Sequence, residues 1–115
     1  MDYRKLNIMG GLRISPTFSL AETAEKIGAA LGGVRFAKDS PGKYDEFPSF
    51  SAEAAGLSFA LLGIPDLSAQ VTPINDFEFQ IGMSFRTGES TETCDASGYY
   101  LRLLRSRTDL SVVDL

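Results

Sequence analysis

The feature that most constrains the fold is a strict alternation of apolar and polar residues between Asp76 and Arg86. Every second residue is apolar: Phe77, Phe79, Ile81, Met83 and Phe85. Because successive side chains of a strand point to opposite faces of a sheet, this pattern predicts an antiparallel strand with one face in the core and the other toward solvent. The positions between these apolar residues, Glu78, Gln80, Gly82 and Ser84, hold no basic residue, so we interpret the aromatic stripe as core packing rather than as a stacking platform for nucleic-acid bases.

A capping box at Ser19-Leu20-Ala21-Glu22 constrains a second segment. In such a box the serine hydroxyl accepts a hydrogen bond from the amide three residues on, and the glutamate reaches back. Apolar residues then recur at helical spacing up to Leu31, and Gly32-Gly33 supplies a left-handed stop. The pattern predicts a helix over residues 19–31.

The other segments add strands and a second helix. Gly10-Gly11 interrupts the first strand, which predicts either a bulge or a close approach of another backbone. Ala55-Gly56 is a tight connection between two strands, and Asp95 or Ser97 is the expected cap of the second helix. Thr87 to Thr93 is expected to be a polar turn or loop. In chain order, the predicted elements are strand 6–15, helix 19–31, strand 34–37, strand 47–54, strand 57–63, strand 76–86, helix 96–106 and a short final strand 110–113.

This order predicts an α+β fold, an antiparallel-rich sheet of about five strands with two helices packed on one face. The 115 residues are enough for one domain, so residues 1–115 are expected to form a single core.

Histidine is absent from the chain, and cysteine occurs once, at Cys94. The side chain best suited to proton transfer near neutral pH is therefore missing, and so are the soft ligands of a zinc site. An intramolecular disulfide cannot form, which makes a cytoplasmic location the default. The start of the chain does not resemble a secretory signal, and the longest uncharged run, 54–65, is too short to span a bilayer. We expect a soluble protein that is not an enzyme, needs no cofactor and does not insert into a membrane.

Charge is distributed unevenly along the sequence. From Asp39 to Asp95 there are ten acidic and two basic residues, a charge of −8, whereas the rest has five acidic and nine basic residues, a charge of +4. An acidic surface repels the phosphates of nucleic acids and attracts a basic partner. Two readings stay open, because these acids either keep the domain soluble or form a binding surface for a basic protein.

The densest acidic group is Asp45-Glu46, with Glu53 a few residues on. Paired carboxylates can hold a divalent cation or act as acid and base, but their spacing here matches no metal-binding signature. We therefore predict neither a metal site nor a catalytic site.

Several stretches resemble a family of small bacterial immunity proteins of contact-dependent growth inhibition and related polymorphic toxin systems. None of them is a catalytic motif, and they follow one another in order along most of the chain. They are residues 11–14 (GLRI), 18–24 (FSLAETA), 44–50 (YDEFPSF), 56–65 (GLSFALLGIP) and 77–81 (FEFQI).

The resemblance implies a cytoplasmic antitoxin that binds and blocks the C-terminal toxin domain of a neighbouring cell's effector. A basic nuclease would suit the acidic middle of the chain, although any other basic toxin would fit it equally well. The alternatives are a protein-interaction or regulatory module without a toxin partner and, less favoured, a histidine-free hydrolase that relies on carboxylates. The predicted partner-binding residues are the central acids and one aromatic anchor: Tyr44, Asp45, Glu46, Glu53, Asp66, Asp76 and Glu78.

Overall fold

The structure is a computed structural model that describes residues 6–65, 74–84 and 92–115. Within these residues two helices pack on one seven-stranded sheet, which confirms the predicted α+β class. The elements are β1 (Leu6–Ile14), α1 (Leu20–Ala30), β2 (Ala37–Lys38), β3 (Ser49–Ala54), β4 (Leu57–Leu62), β5 (Phe77–Met83), β6 (Glu92–Asp95), α2 (Ser97–Arg107) and β7 (Val112–Asp114).

The strand order is β2-β3-β4-β5-β1-β6, with β7 also paired to β1. One edge of β1 pairs antiparallel with β5. Its other edge is shared, because β6 pairs in parallel with the first half of β1 and β7 pairs antiparallel with the second half. All other pairings in the sheet are antiparallel.

The double glycine lies where β6 and β7 leave a gap beside β1. The register with β5 runs through Gly10 and Gly11 without a bulge. A Cβ at Gly10 would lie 3.1 Å from the backbone nitrogen of Ser97, and the Gly11 N–H donates to Ser97 Oγ at 2.9 Å. Of the two predicted explanations, the close approach of another backbone is the one observed.

Helix α1 begins as its capping box predicts. Ser19 Oγ accepts from the Glu22 N–H at 3.1 Å, and the Glu22 carboxylate accepts from the same hydroxyl. After the helix, the chain packs closely against Gly28. Only glycine fits at this position, because a Cβ there would overlap the carbonyl oxygen of Val34. The Gly28 carbonyl in turn accepts from the N–H groups of Gly33 and Val34.

The core lies between the sheet and both helices. The rings of Phe59 and Phe79 are stacked with centroids 5.9 Å apart, and Tyr100 of α2 meets both rings edge-on. Ile27 of α1 belongs to the same buried cluster, so the two helices cover the same face of the sheet. Burying each large apolar side chain stabilises the fold by about 1.5–3 kcal/mol.

Two local predictions were wrong. The strand expected at 34–37 is instead the two-residue β2 at 37–38, because the Val34 N–H is bound to the end of α1 and Phe36 packs against the rings of Phe59 and Phe79. The polar turn expected up to Thr93 overlaps β6, which begins at Glu92 and is held by pairing with β1. Residues 85–91, including the predicted strand residue Phe85, lie outside the described residues.

The second helix and the last strand are shifted by one or two residues from their predicted bounds. Ala96, not Asp95 or Ser97, is the residue at the N-cap of α2. Asp95 nevertheless contributes to the start of this helix, because its Oδ1 accepts from the N–H and the hydroxyl of Ser97.

The turn between β3 and β4 contains a strained alanine. Ala55 has φ of 52° and Gly56 has φ of 81°, so both central residues of this two-residue hairpin loop have positive φ. Asparagine and glycine tolerate that conformation far better than alanine does.

We expect Ala55→Asn to raise the free energy of unfolding by about 0.5–1 kcal/mol, because it relieves this strain. Urea unfolding followed by circular dichroism would measure the gain. Ala37→Asn is the matched control, an exposed alanine without positive φ, and should not stabilise the protein. An equal gain in both variants would contradict the explanation.

Candidate functional site

The sheet face opposite the helices, here called the open face, carries polar side chains from β1, β3, β4 and β5, although Ser49, Ala60 and Leu62 on this face are buried. Residues paired across strands project to the same face, so the register identifies its members. They are Arg13, Ser49, Ser51, Glu53, Ser58, Ala60, Leu62, Glu78, Gln80 and Val113.

A cleft of about 400 Å³ lies where β5 begins, and is called here the β5 cleft. Arg13 stands directly opposite Glu78 in the β1–β5 register, and both line the cleft together with Asp76. Gln80 Nε2 donates to Glu78 Oε2 at 2.6 Å, which orients that carboxylate. Phe47 contributes an apolar wall. The cleft thus combines carboxylates, a guanidinium and apolar surface, a set suited to binding polar groups of another molecule.

A hydrogen-bonded group around Asp39 fixes the β2–β3 edge of the sheet. Asp39 Oδ2 accepts from the hydroxyls of Ser49 and Ser51, and Oδ1 forms an ion pair with Lys43 Nζ at 3.0 Å. Burial of Asp39 alone would raise its pKa, but the two hydroxyls and Lys43 together hold the pKa of this carboxyl below its usual value. Only 10% of the Asp39 side chain is exposed, so the group acts as a support for the open face.

Three predicted site residues lie in the turn before β3. Tyr44 is half-buried, with Lys43 Nζ 5.6 Å from the centre of its ring, whereas Asp45 and Glu46 are exposed. Asp45 has φ of 54°, a left-handed conformation that aspartate tolerates better than most residues. The turn adjoins the β5 cleft through Phe47.

The other predicted site residues are divided between two places. Asp76 and Glu78 come together in the β5 cleft. Glu53 is exposed on the same face but at the opposite end of β3, across from Ser58. Asp66 lies outside the described residues.

Sequence reasoning missed Arg13 and the Asp39 group. Arg13 occupies a polar position between Leu12 and Ile14, so the alternation within β1 was a usable signal for its place on the open face. No comparable signal marks Asp39, because its two serine partners come from a strand that begins ten residues later.

Two arginines of α2 bind backbone carbonyls of neighbouring elements. Arg105 Nε and Nη2 donate to the Val112 oxygen, and Arg107 Nη1 donates to the Ala30 oxygen. These contacts tie α2 to β7 and to the end of α1.

In the described ranges, no group of three or more Asp, Glu, Cys or His side chains is arranged to hold a metal ion. Cys94 is a free, exposed thiol on β6. Neither α1 nor α2 has the length and hydropathy to cross a bilayer. Comparisons with protein-family models, curated proteins and solved structures gave no significant match.

We expect Asp39→Asn to lower the free energy of unfolding at pH 7 by about 1–2 kcal/mol, since it weakens hydrogen bonds to a charged group. The pKa of Asp39 is lowered in the folded protein, so its stabilising effect is complete above the unfolded pKa near 3.8 and is lost as the pH falls through the folded pKa. Urea unfolding at a series of pH values should show the difference between wild type and variant shrinking in that acid range.

The control is Glu46→Gln, an exposed carboxylate in the turn, which should change the stability by less than about 0.5 kcal/mol. A difference between wild type and Asp39→Asn that stayed constant at every pH would show that the Asp39 charge does not stabilise the fold.

Proposed function

We propose that this chain is an immunity protein that binds and neutralises the C-terminal toxin domain of a contact-dependent growth inhibition effector in the cytoplasm. The observation that carries the proposal is the placement of carboxylates on a surface left uncovered by the helices. Glu53 and Glu78 lie on the open face, Asp76 lines the β5 cleft, and Asp45 and Glu46 are exposed in the adjoining turn.

Charge supports a basic partner for this surface. The segment from Asp39 to Asp95 has a charge of −8, and it supplies β3, β4, β5 and the turn before them. Clustered charge of one sign raises the rate at which an oppositely charged protein associates, and the effect weakens with added salt. A basic nuclease domain is one toxin with the complementary charge.

The ordered backbone beneath this surface also supports a binding role. The central strands β4 and β5 place Phe59 and Phe79 in the core, so their outward-facing residues are held by a packed sheet rather than by a loop. A surface that is already ordered costs little conformational entropy when a partner docks.

An interaction module without a toxin partner would use the same surface and differ only in what it binds. The two functions are separated by the neighbouring gene: an immunity protein requires a large secreted protein encoded beside it, whose C-terminal domain is toxic when expressed alone. Co-expression of the chain should restore growth of the poisoned cells.

We expect Glu78→Lys and Glu53→Lys, made separately, to slow association with the purified C-terminal domain of that neighbouring protein by about three- to tenfold at low salt, because each places a cation on the docking face. Stopped-flow or surface plasmon resonance at several salt concentrations would measure the rate.

Glu25→Lys is the matched control, since it makes the same charge change on the exposed side of α1. Equal slowing by all three variants would mean that only net charge matters and that the open face is not the binding surface. Failure of the wild-type chain to bind the domain or to protect cells from it would refute the immunity function.

A further inference from the structure

Large exposed apolar side chains are few among the described residues, and most of them share one place. They are Met9, Tyr99, Val113 and Leu115, exposed by 48%, 66%, 48% and 57%. Tyr99 is on α2, but the other three lie on the open face: Met9 in β1, Val113 in β7 opposite Arg13, and Leu115 just after β7, over Gly11. Met9, Val113 and Leu115 are called here the apolar patch.

The sheet makes room for this patch. A Cβ at Gly11 would overlap Leu115 Cδ1, so the glycine allows the leucine to lie directly over the β1 backbone. Met9 and Leu115 together line a cleft of about 480 Å³ in the gap between the ends of β6 and β7. Leu115 also lines the β5 cleft, which makes the apolar patch continuous with the site that contains Glu78.

Charges around the patch are mainly negative. Asp95 and Asp114 line the cleft beside Met9 and Leu115, and Asp76 and Glu78 line the β5 cleft beyond, where Arg13 contributes a cation. A second copy of the chain would bring these carboxylates against their own counterparts, which disfavours self-association. A basic protein would instead meet four carboxylates and one guanidinium.

The partner is expected to dock on the face and not to extend the sheet at β7. Ser15 N–H donates to the Ser111 oxygen, so the next carbonyl of this antiparallel strand, that of Val112, points away from β1. That outward carbonyl accepts both Nε and Nη2 of Arg105, at 3.0 and 2.8 Å. An edge occupied in this way is a poor template for an added strand.

We propose that the apolar patch is the anchor of the toxin-binding surface, where aliphatic or aromatic side chains of a basic protein pack on Met9, Val113 and Leu115 while its lysines or arginines meet Asp95 and Asp114. The inference rests on the immunity function proposed above. Interfaces of this kind have an apolar centre within a polar rim, and each partner buries about 800 Å². Three half-exposed side chains cover a small part of that area, so the interface extends along the β5 cleft to Glu78.

The test compares Leu115→Ser and Met9→Ser with wild type for binding to the C-terminal domain encoded by the neighbouring gene. We expect each variant to raise the Kd by about tenfold or more through faster dissociation, as loss of a buried anchor does. Because both side chains are about half exposed, we expect both variants to fold, and thermal unfolding would verify this. Tyr99→Ser is the matched control, because it removes an exposed aromatic side chain on α2 and should leave the Kd within about twofold of wild type.

The outcomes separate this inference from the function on which it rests. In one outcome the wild type binds, Glu78→Lys slows association, and both patch variants bind as tightly as wild type. The apolar patch is then not the anchor, and the immunity function stands. If the wild type does not bind the toxin domain, both proposals fall. If sedimentation velocity shows a wild-type dimer that Leu115→Ser dissociates, the patch is covered by a second copy of the chain and the proposed occupant is wrong.

Discussion

The pairing of β1 on both of its edges is the interaction on which the rest of the structure depends. One edge holds β5, and the other holds β6 and β7 in succession. Leu12 and Ile14 of this strand are fully buried, and its removal would separate the hairpin of β3 and β4 with β5 from the strands β6 and β7. The partners of β1 are all distant in sequence, and such non-local pairing requires much of the chain to be ordered before the sheet is complete.

Local sequence signals predicted most of the fold because they act over a few residues. The capping box marks α1 and the alternation from Phe77 marks β5, and both elements form where these signals place them. The strand β2 was misplaced and the polar strand β6 was not predicted, since both are held by pairing with other strands. The same division applies to the candidate site: alternation placed Glu78 on the polar side, whereas the Asp39 group and the apolar patch depend on registers between distant segments.

The two faces of the sheet have different roles in the proposed function. The helix-covered face supplies the stability, through stacked Phe59 and Phe79 and the edge of Tyr100. The open face carries Glu53 and Glu78, charged residues that a core would reject, together with the exposed apolar patch. Acidic side chains on this face would govern how fast a basic partner arrives, and the apolar anchor would govern how long it stays.

The contact of Arg105 with the Val112 carbonyl has a consequence for the behaviour of the protein at high concentration. An unpaired strand edge invites other copies to join the sheet and is a common start of aggregation. Here two N–H groups of Arg105 occupy the outward carbonyl of Val112 in β7, and β2 at the far end of the sheet offers only two residues, one of them Lys38. For the proposed immunity protein, these two edges would resist pairing with further copies of the chain while the open face stays available to a partner.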